Sequence, residues 1–394
     1  MTVREVVVLS AVRSAIGSFG GALSTMEPVD LAAQVMQQAI ARSGVEPERI
    51  HYVTVGNCIP TESRYAYVAR VAAVQAGLPL DSVAMAVNRL CSSGLQAVVS
   101  TAQAIMLGDA QYGIGGGVEV MSRGAYLAPA MRSGARMGDT TMVDAMLAVL
   151  TDPFGVGHMG VTAENLAEKW GISREEQDAF AQESHRRAGV AIAEGRFREQ
   201  IVPVVLKSRK GESVFDTDEH CRPDTTLEAL ARMRPAFRKD GTVTAGNASG
   251  INDGASFLVL ADAETAARAG HKPMARIVAY AVAGVPNEVM GEGPIPATRI
   301  ALERAGLALE QMDVIESNEA FAVQALTVMK GLGLDPAKTN PNGGAVALGH
   351  PVGASGACIA TKALHELQRI QGRYALVTVC VGGGQGLSVI FERV

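Results

Sequence analysis

Residues 88–98 read NRLCSSGLQAV and join a short apolar run at 83–87 to a longer apolar segment. The short run has the alternation and length of a buried strand, and the longer segment has the period of a helix. Ser92 and Ser93 are the candidates for the helix cap, which places Cys91 at the strand-to-helix turn. A thiol there meets unpaired N–H groups and the positive end of the helix dipole, and both lower a cysteine pKa. The alternative interpretation is a small buried cysteine without chemistry.

Length and composition limit the classes of protein to which the chain can belong. Its 394 residues exceed what one core usually serves, so two or more packed units are expected. The 48% hydrophobic and 19% charged residues are typical of a globular protein. The formal net charge of −5 argues against a nucleic-acid or membrane partner, so an anionic ligand needs a local basic patch.

Targeting signals and cysteine usage favour a cytoplasmic protein. The N-terminal apolar run at 6–9 is too short for a secretory signal, and no stretch approaches the roughly 20 apolar residues of a membrane span. The five cysteines show neither metal-ligand nor CxxC spacing, which predicts free thiols and no metal site. They are Cys58, Cys91, Cys221, Cys358 and Cys380.

Strand and helix patterns alternate at both ends of the chain but not in the middle. The alternation predicts an α/β fold with a mainly parallel sheet covered on both faces. It stops near residue 121 and returns after residue 249, so residues 121–249 are interpreted as an insertion with one strand at 201–206. Ser173 and Glu176 have the spacing of a capping box at the start of a helix in that insertion.

The sequence also contains an internal repeat. Gly44 and Gly94 reappear at the same spacing as Gly306 and Gly356, and Gly94 and Gly356 each follow a serine at a predicted helix start. Such ordered matches indicate two similar α/β halves, here residues 1–120 plus 250–272 and residues 273–394. Cys91 and the stretch near Gly353 are then expected to face each other at helix N-termini, a favourable place for an active site.

Two further motifs supply candidate acid/base groups. His350 is the only titratable side chain in GHPVGASG at 349–356, where it either ties down a loop or serves Cys91 as a general base. Cys380 begins CVGGGQG at 380–386 and is either a buried strand cysteine or a second acid/base thiol. The glycines after it expose N–H groups that can hold an oxyanion. They do not form a dinucleotide site, because the third glycine of that pattern is replaced by Leu387.

Two polar residues remain ambiguous from the sequence alone. Asn318 in NEAFA at 318–322 is either a helix cap or a group that holds a water or a carbonyl oxygen. His158 in GHMG at 157–160 is a loop histidine with a structural or a binding role.

Taken together, the motifs around Cys91, Asn318, His350 and Cys380 resemble those of the thiolases, in the same order and over essentially the whole chain. TAGNASG at 244–250 adds to the resemblance, which is greatest for bacterial β-ketothiolases of the broad, short-chain kind that feed polyhydroxyalkanoate synthesis. It implies two βαβαβαββ halves in five α-β-α-β-α layers with a loop domain inserted between them. It also implies a homotetramer in which residues 121–144 help to pair dimers.

The resemblance implies a reaction as well. A thiolase joins acetyl-CoA to an acyl-CoA to give 3-ketoacyl-CoA and CoA, or cleaves it in reverse, by a ping-pong mechanism through an acyl-Cys91 intermediate. Short substrates such as acetoacetyl-CoA and 3-ketovaleryl-CoA are expected, with no permanently bound cofactor. The implied catalytic residues are Cys91, His350, Cys380 and Asn318. The implied oxyanion holes are the N–H groups of Cys91 and Gly382, and His350 with a water held by Asn318.

The same resemblance places coenzyme A. Ser249 would bond the pantetheine arm, and Arg222 and the basic run at 207–210 are candidates for its phosphates. The residues expected to line the tunnel are His158, Met159, Phe237, Ala320 and Phe321. Ser92 and Gln385 depart from the Gly and Met of many thiolases, which leaves the size of the acyl pocket open.

Three other functions stay open. A cysteine hydrolase would use Cys91, His350 and Asn318 and release free acid, but it leaves Cys380 unexplained. A non-catalytic acyl-CoA-binding protein would bind without turnover. A ketosynthase relative fits the fold but not the asparagine at 318, where it would need a second catalytic histidine.

Overall fold

The computed structural model describes residues 3–208 and 211–394. The strands are β1 (Val6–Ser14), β2 (Gly17–Ser18), β3 (Tyr52–Gly56), β4 (Val83–Val87), β5 (Tyr112–Val120), β6 (Tyr126–Leu127), β7 (Val143–Asp144), β8 (Thr151–Asp152), β9 (Gly157–His158), β10 (Ile201–Val202), β11 (Val204–Ser208), β12 (Gly211–Phe215), β13 (Asn252–Asp262), β14 (Ala275–Gly284), β15 (Val314–Ser317), β16 (Tyr374–Val381) and β17 (Gln385–Arg393). The helices are α1 (Pro28–Ser43), α2 (Val68–Gln75), α3 (Ser93–Leu107), α4 (Ala145–Val149), α5 (Met159–Trp170), α6 (Arg174–Ala193), α7 (Leu227–Ala231), α8 (Ala263–Arg268), α9 (Pro294–Ala305), α10 (Ala322–Leu332), α11 (Ala345–Leu348) and α12 (Val352–Arg369).

The main sheet repeats one strand order in its two halves. The first half runs β4-β3-β5-β13-β1, and the second runs β15-β16-β17-β14, with Thr339 bridging Ile315 where a fifth strand would lie. β1 and β14 join the halves in antiparallel fashion, with Val7 opposite Arg276. The predicted pair of similar α/β halves is therefore confirmed.

Three apolar clusters show how the layers stack. One cluster contains α3, α12 and one face of the strands of both halves. A second lies between α1, α2 and the other face of the first half, and a third packs α9 and α10 on the second half. The order is thus α-β-α-β-α, with α3 and α12 in the middle.

The sheet is mixed, so the expectation of a mainly parallel sheet was wrong. β3 pairs in parallel with β4 and β5, as β15 does with β16. The last strand of each half, β13 or β17, runs antiparallel to both of its neighbours in the sheet. In the second half β17 follows β16 directly, without a crossover helix, and this connection reverses the strand direction. In the first half the insertion connects β5 to β13, its antiparallel neighbour.

Strand β4 was also expected to be buried, and this was wrong too. It forms the edge of the sheet, where Val83 is 56% and Met85 is 41% exposed in the single chain. An apolar run does not reveal whether a neighbour covers it.

Residues Leu90–Leu107 form a helical segment that is long and apolar enough by composition to cross a membrane. In this structure 61% of the segment is buried, as in the core helix of a globular protein.

The insertion packs against both halves. It contains the helices α4 to α7 and a β11–β12 hairpin, where the sequence predicted one strand. Ser173 and Glu176 form the predicted capping box at the start of α6. The fully buried pair Arg13 and Asp218, 2.7 Å apart, ties the segment after the hairpin to β1. This ion pair fixes that end of the insertion to the first half.

The repeat-related glycines lie where α3 and α12 cross. A Cβ on Gly94 would lie 3.0 Å from the Ala357 nitrogen and the Gly353 oxygen. A Cβ on Gly356 would lie 2.7 Å from the backbone nitrogen of Leu95. The helices therefore touch backbone to backbone, and the contact brings their N-termini together.

We expect Gly356→Ala to lower the free energy of unfolding by about 1–3 kcal/mol, because the added carbon overpacks a backbone contact that cannot yield. In an open helix the same change would stabilise by about 1 kcal/mol, so the sign is diagnostic. Urea unfolding measures it, with Gly284→Ala as the control because its Cβ meets only one atom, at 3.9 Å. Unchanged stability in Gly356→Ala would contradict the close crossing.

Candidate active site

Cys91 lies in the short 3-10 turn Leu90–Ser92 that precedes α3. Leu90 has a φ of 47°, a left-handed conformation that is unusual for a residue with a side chain and marks functional sites. Ser93 stabilises this turn, since its Oγ accepts from the Arg89 N–H at 2.8 Å and donates to the Leu90 carbonyl at 2.7 Å. Ser92 occupies the predicted cap position before α3, but its side chain makes no capping hydrogen bond.

The expected lowering of the Cys91 pKa was wrong. Burial raises the pKa of the thiol to about 11, and the N–H groups of Gly382 and of Cys91 itself counter this only in part. The helix N-terminus is present, but the loss of hydration at the bottom of a cavity outweighs it. Cys91 is consequently a neutral thiol at neutral pH and needs a base to become a nucleophile.

His350 is built to be that base. It lies two residues before α12, with Nδ1 2.6 Å from the Ser355 Oγ, which donates to the Pro351 carbonyl at 2.8 Å. Ser355 has thus used its proton and accepts the Nδ1–H, which leaves a lone pair on Nε2. Nε2 has no hydrogen-bond partner within the described ranges, and burial lowers the His350 pKa to about 4.

Cys380 and Asn318 lie behind the cavity wall. Cys380 is fully buried near the end of β16, where burial and the neighbouring Cys91 raise the pKa of its thiol far above the usual range. The nearby amide of Asn318 lowers that pKa by a smaller amount. Neither side-chain atom of Asn318 makes a hydrogen bond of ordinary length to any residue that the structure describes. The buried Asn318 can therefore still donate and accept hydrogen bonds, for example to a water or a ligand.

One cavity of about 500 Å³ brings most of the predicted residues together. Phe237 forms part of its wall, stacked on His158 at 4.7 Å between ring centres and perpendicular to Phe321 at 6.1 Å. Ser249 uses its hydroxyl proton on the Ala320 carbonyl at 2.9 Å, which leaves its oxygen free to accept. The predicted site residues that line the cavity are Cys91, His158, Met159, Phe237, Ser249, Ala320, Phe321, His350 and Gly382.

The predicted basic groups are less closely associated with the cavity. Arg222 is exposed and does not line it, but it lies near His220, which does: burial and, to a smaller extent, the charge of Arg222 lower the pKa of His220. Lys207 is exposed, and its Nζ lies 3.7 Å from the Oε1 of Glu212. Residues 209 and 210 of the basic run fall outside the described ranges. A phosphate-binding patch stays a prediction.

Sequence reasoning missed several residues around the site. Ser355 accepts a hydrogen bond from the imidazole of His350 and so orients the ring, and the Oδ1 of Asn252 accepts from the backbone N–H of His350 at 2.9 Å. Ser355 comes five residues after His350, a spacing that hints at a contact across one helical turn. No local signal identifies Asn252, nor the apolar residues that line the far side of the cavity beside Cys91, which are Met121, Val149, Leu150 and Val352.

We expect the alkylation rate of Cys91 by iodoacetamide to keep rising with pH beyond the value of about 8.5 at which a free cysteine titrates. Alkylation follows the thiolate fraction, and the raised pKa keeps that fraction small until about pH 11. Mass spectrometry of the labelled peptide measures the rate, with Cys91→Ala reporting any reaction at other thiols. A plateau below about pH 8 would show that Cys91 ionises as the simple helix-dipole argument predicted.

The comparisons with known proteins agree over the whole chain. The family model "Thiolase, N-terminal domain" matches residues 6–264, and "Thiolase, C-terminal domain" matches residues 271–393. The beta-ketothiolase BktB of Cupriavidus necator is 59% identical over 99% of this chain and 100% of its own length. An acetyl-CoA acetyltransferase of Pseudomonas aeruginosa is 48% identical over 99% of this chain and 100% of its own length.

Solved structures give the same result. The Bacillus anthracis acetyl-CoA acetyltransferase superposes with a TM-score of 0.97 at 48% identity, covering 100% of both chains. A human mitochondrial 3-ketoacyl-CoA thiolase in complex with CoA superposes with a TM-score of 0.96 at 42% identity, covering 99% of this chain and 98% of that one. On these grounds this chain is an acyltransferase that belongs to the thiolase family.

Proposed function

We propose that the protein catalyses the reversible condensation of acetyl-CoA with a short acyl-CoA to give 3-ketoacyl-CoA and CoA. The observation that carries the proposal is the meeting of Cys91, His350 and Gly382 at one cavity, with Cys380 directly behind Cys91. A nucleophile, a neutral base, an N–H donor and a second thiol are the groups that a two-step acyl transfer needs.

Acylation begins when the Nε2 of His350 takes the Cys91 proton as the sulfur attacks the thioester carbonyl. The oxyanion lies between the N–H groups of Cys91 and Gly382, and one such donor contributes about 3–4 kcal/mol. The CoA thiolate then leaves and takes a proton from Cys380. This step ends with an acyl-Cys91, a protonated His350, a Cys380 thiolate and free CoA.

Condensation uses the charges that acylation has left. The Cys380 thiolate, a strong base because it is buried, takes a proton from the methyl carbon of acetyl-CoA. The protonated His350, with a water held by Asn318, stabilises the enolate oxygen. The enolate carbon attacks the acyl group, and Cys91 leaves as a thiolate that recovers the proton from His350. All three side chains return to their initial state.

The cavity walls suit the two ends of such a substrate. On one side Met159, Phe237 and Phe321 belong to the apolar cluster around Cys380, where the pantetheine arm would lie. On the other side Met121 and Val352 belong to the cluster around Cys58, which would receive the acyl chain. Since about 500 Å³ must hold both, we expect short acyl chains, such as those of acetoacetyl-CoA and 3-ketovaleryl-CoA.

The cysteine hydrolase is supported less well. A Cys-His-Asn hydrolase needs the asparagine to orient the histidine, but the Nδ1 of His350 bonds Ser355 and not Asn318. The apolar lining also disfavours a hydrolytic water at the acyl-enzyme.

A thiolysis assay tests the proposal. We expect CoA-dependent cleavage of acetoacetyl-CoA and 3-ketovaleryl-CoA, with falling kcat/KM as the acyl chain outgrows the Met121 side of the cavity. The products, separated by chromatography, should be two acyl-CoAs. Release of free acid would favour the hydrolase, and binding of CoA without turnover would favour a carrier.

We further propose that the enzyme is a cytoplasmic homotetramer that takes part in polyhydroxyalkanoate synthesis. The exposed edge strand β4 offers unpaired backbone groups and apolar side chains, features that a second copy of the chain would cover. Exposed apolar residues in the 121–144 segment, including Tyr126 and Met142, support a second contact between dimers. Light scattering gives the mass, and a monomer at micromolar concentration would contradict the assembly.

A further inference from the structure

Two loops, one from each half, meet at the proposed oxyanion hole. The cysteine loop, residues 88–92, contains the Cys91 N–H, and the glycine loop, residues 381–385, contains the Gly382 N–H. Their separation decides whether both groups point at one oxygen, because such donors must lie within about 2.7–3.1 Å of the oxyanion.

Each loop is anchored within its own half. The Arg89 N–H is held by the Ser93 Oγ at the start of α3. The Gly384 carbonyl accepts from the Val285 N–H at 2.8 Å, and the backbone of Gln385 lies so close to Gly293 that a Cβ there would be 2.0 Å from the Gln385 oxygen. These contacts hold each loop to its own half, but none of them spans the gap between the two loops.

Besides the Gly382 N–H that faces the Cys91 sulfur, the two loops are joined, among the described residues, by a hydrogen bond between two side chains. The Nη1 of Arg89 donates to the Oε1 of Gln385 at 3.0 Å. Arg89 lies two residues before Cys91, and Gln385 lies three residues after Gly382. Neither side chain lines the cavity, so the bond acts on the loops and not on the substrate.

We propose that Arg89 and Gln385 are positioning residues, whose hydrogen bond sets the separation of the Cys91 and Gly382 N–H groups and so the rate of acylation. The inference rests on the proposed thiolase function. It also gives a role to Gln385, at which this sequence departs from the methionine of many thiolases.

Stopped-flow acylation of the full-length enzyme by acetyl-CoA tests the pair in Gln385→Leu, Arg89→Met and the double variant. A shift of the order of 1 Å can lower a rate by up to about a hundredfold, and we expect about tenfold here because the donors themselves remain. KM for acetyl-CoA should stay nearly constant, since neither residue touches it. The double variant should be no slower than either single one, because partners in one bond are not additive.

Two comparisons separate positioning from general damage. Gln385→Glu keeps the acceptor for Arg89 and should restore acylation. Gln103→Leu is the matched control, since it removes another bond between the halves, that to the Tyr280 hydroxyl at 2.7 Å, away from the cavity. Iodoacetamide alkylation of Cys91 needs no oxyanion hole, and the Gly382 N–H is only a minor influence on the Cys91 pKa, so alkylation in Gln385→Leu should slow much less than acylation.

The outcomes are distinct. A loss of acylation clearly larger than any loss of alkylation, together with normal acylation in Gln385→Glu, supports the proposal. Unchanged acylation in Gln385→Leu overturns it, and so does an equal loss of acylation and alkylation, because the pair would then only hold Cys91. If the unmodified enzyme forms no acyl-enzyme at all, the proposed function fails and this inference fails with it.

Discussion

Replacing Cys91 with alanine is expected to abolish both acylation and condensation, whereas replacing Cys380 with alanine leaves an acyl-enzyme that can be trapped. Loss of a nucleophile removes the covalent route altogether, and in other enzymes it lowers kcat by about a millionfold. Cys380 is needed for proton transfer at carbon, so its loss should stop carbon–carbon bond formation while slow acylation continues with solvent as the proton donor.

Intact-mass spectrometry after mixing with acetyl-CoA measures the acyl-enzyme, and a coupled assay measures condensation. Cys358→Ala is the control, because Cys358 is also buried, with its pKa raised to about 12 by burial, but does not line the cavity. Equal loss of acylation in the Cys91 and Cys380 variants would rule out the division of labour between the two thiols.

Replacing His350 with glutamine is the second change with a large expected effect. The Cys91 thiol has a pKa of about 11, and the proposed base is His350, which lines the same cavity and whose Nε2 makes no hydrogen bond to any described residue. Losing a general base lowers a rate by about 10²–10⁴-fold, and here both the acylation and the enolate steps are affected.

Ser355→Ala should give a smaller loss, because the imidazole remains but its Nδ1–H loses the acceptor that selects the reactive tautomer. His365→Gln is the matched control, a partly buried histidine on α12, the helix that follows His350, whose Nε2 bonds the Ala11 carbonyl. The pH dependence of kcat/KM tests the lowered pKa of His350 separately. Because burial lowers the His350 pKa to about 4, kcat/KM should stay level down to about pH 5 and fall only as the imidazole takes up a proton. A decline centred near the ordinary histidine value of about 6.5 would contradict that burial effect.

The sequence by itself determined the two-half architecture and named residues that the structure brings together at the candidate site. Alternating strand and helix patterns located nearly every element of the two halves, because apolar periodicity is a local property of the chain. The spaced glycines indicated the repeat, and in the structure Gly94 and Gly356 lie where the central helices α3 and α12 contact each other. The motifs around Cys91, His350 and Cys380 identified the thiolase family, which the full-length comparisons confirm.

Only the tertiary structure decided the environment of those residues. Whether β4 is covered, and in which direction β13 runs, depends on neighbours distant in sequence. The pKa of Cys91 depends on a competition between the helix dipole and lost hydration, and burial wins only once both halves close around the thiol. Partners such as Ser355 for His350 and Gln385 for Arg89 were likewise hidden, because hydrogen bonds are set by geometry within a few tenths of an ångström, which no spacing in the sequence records.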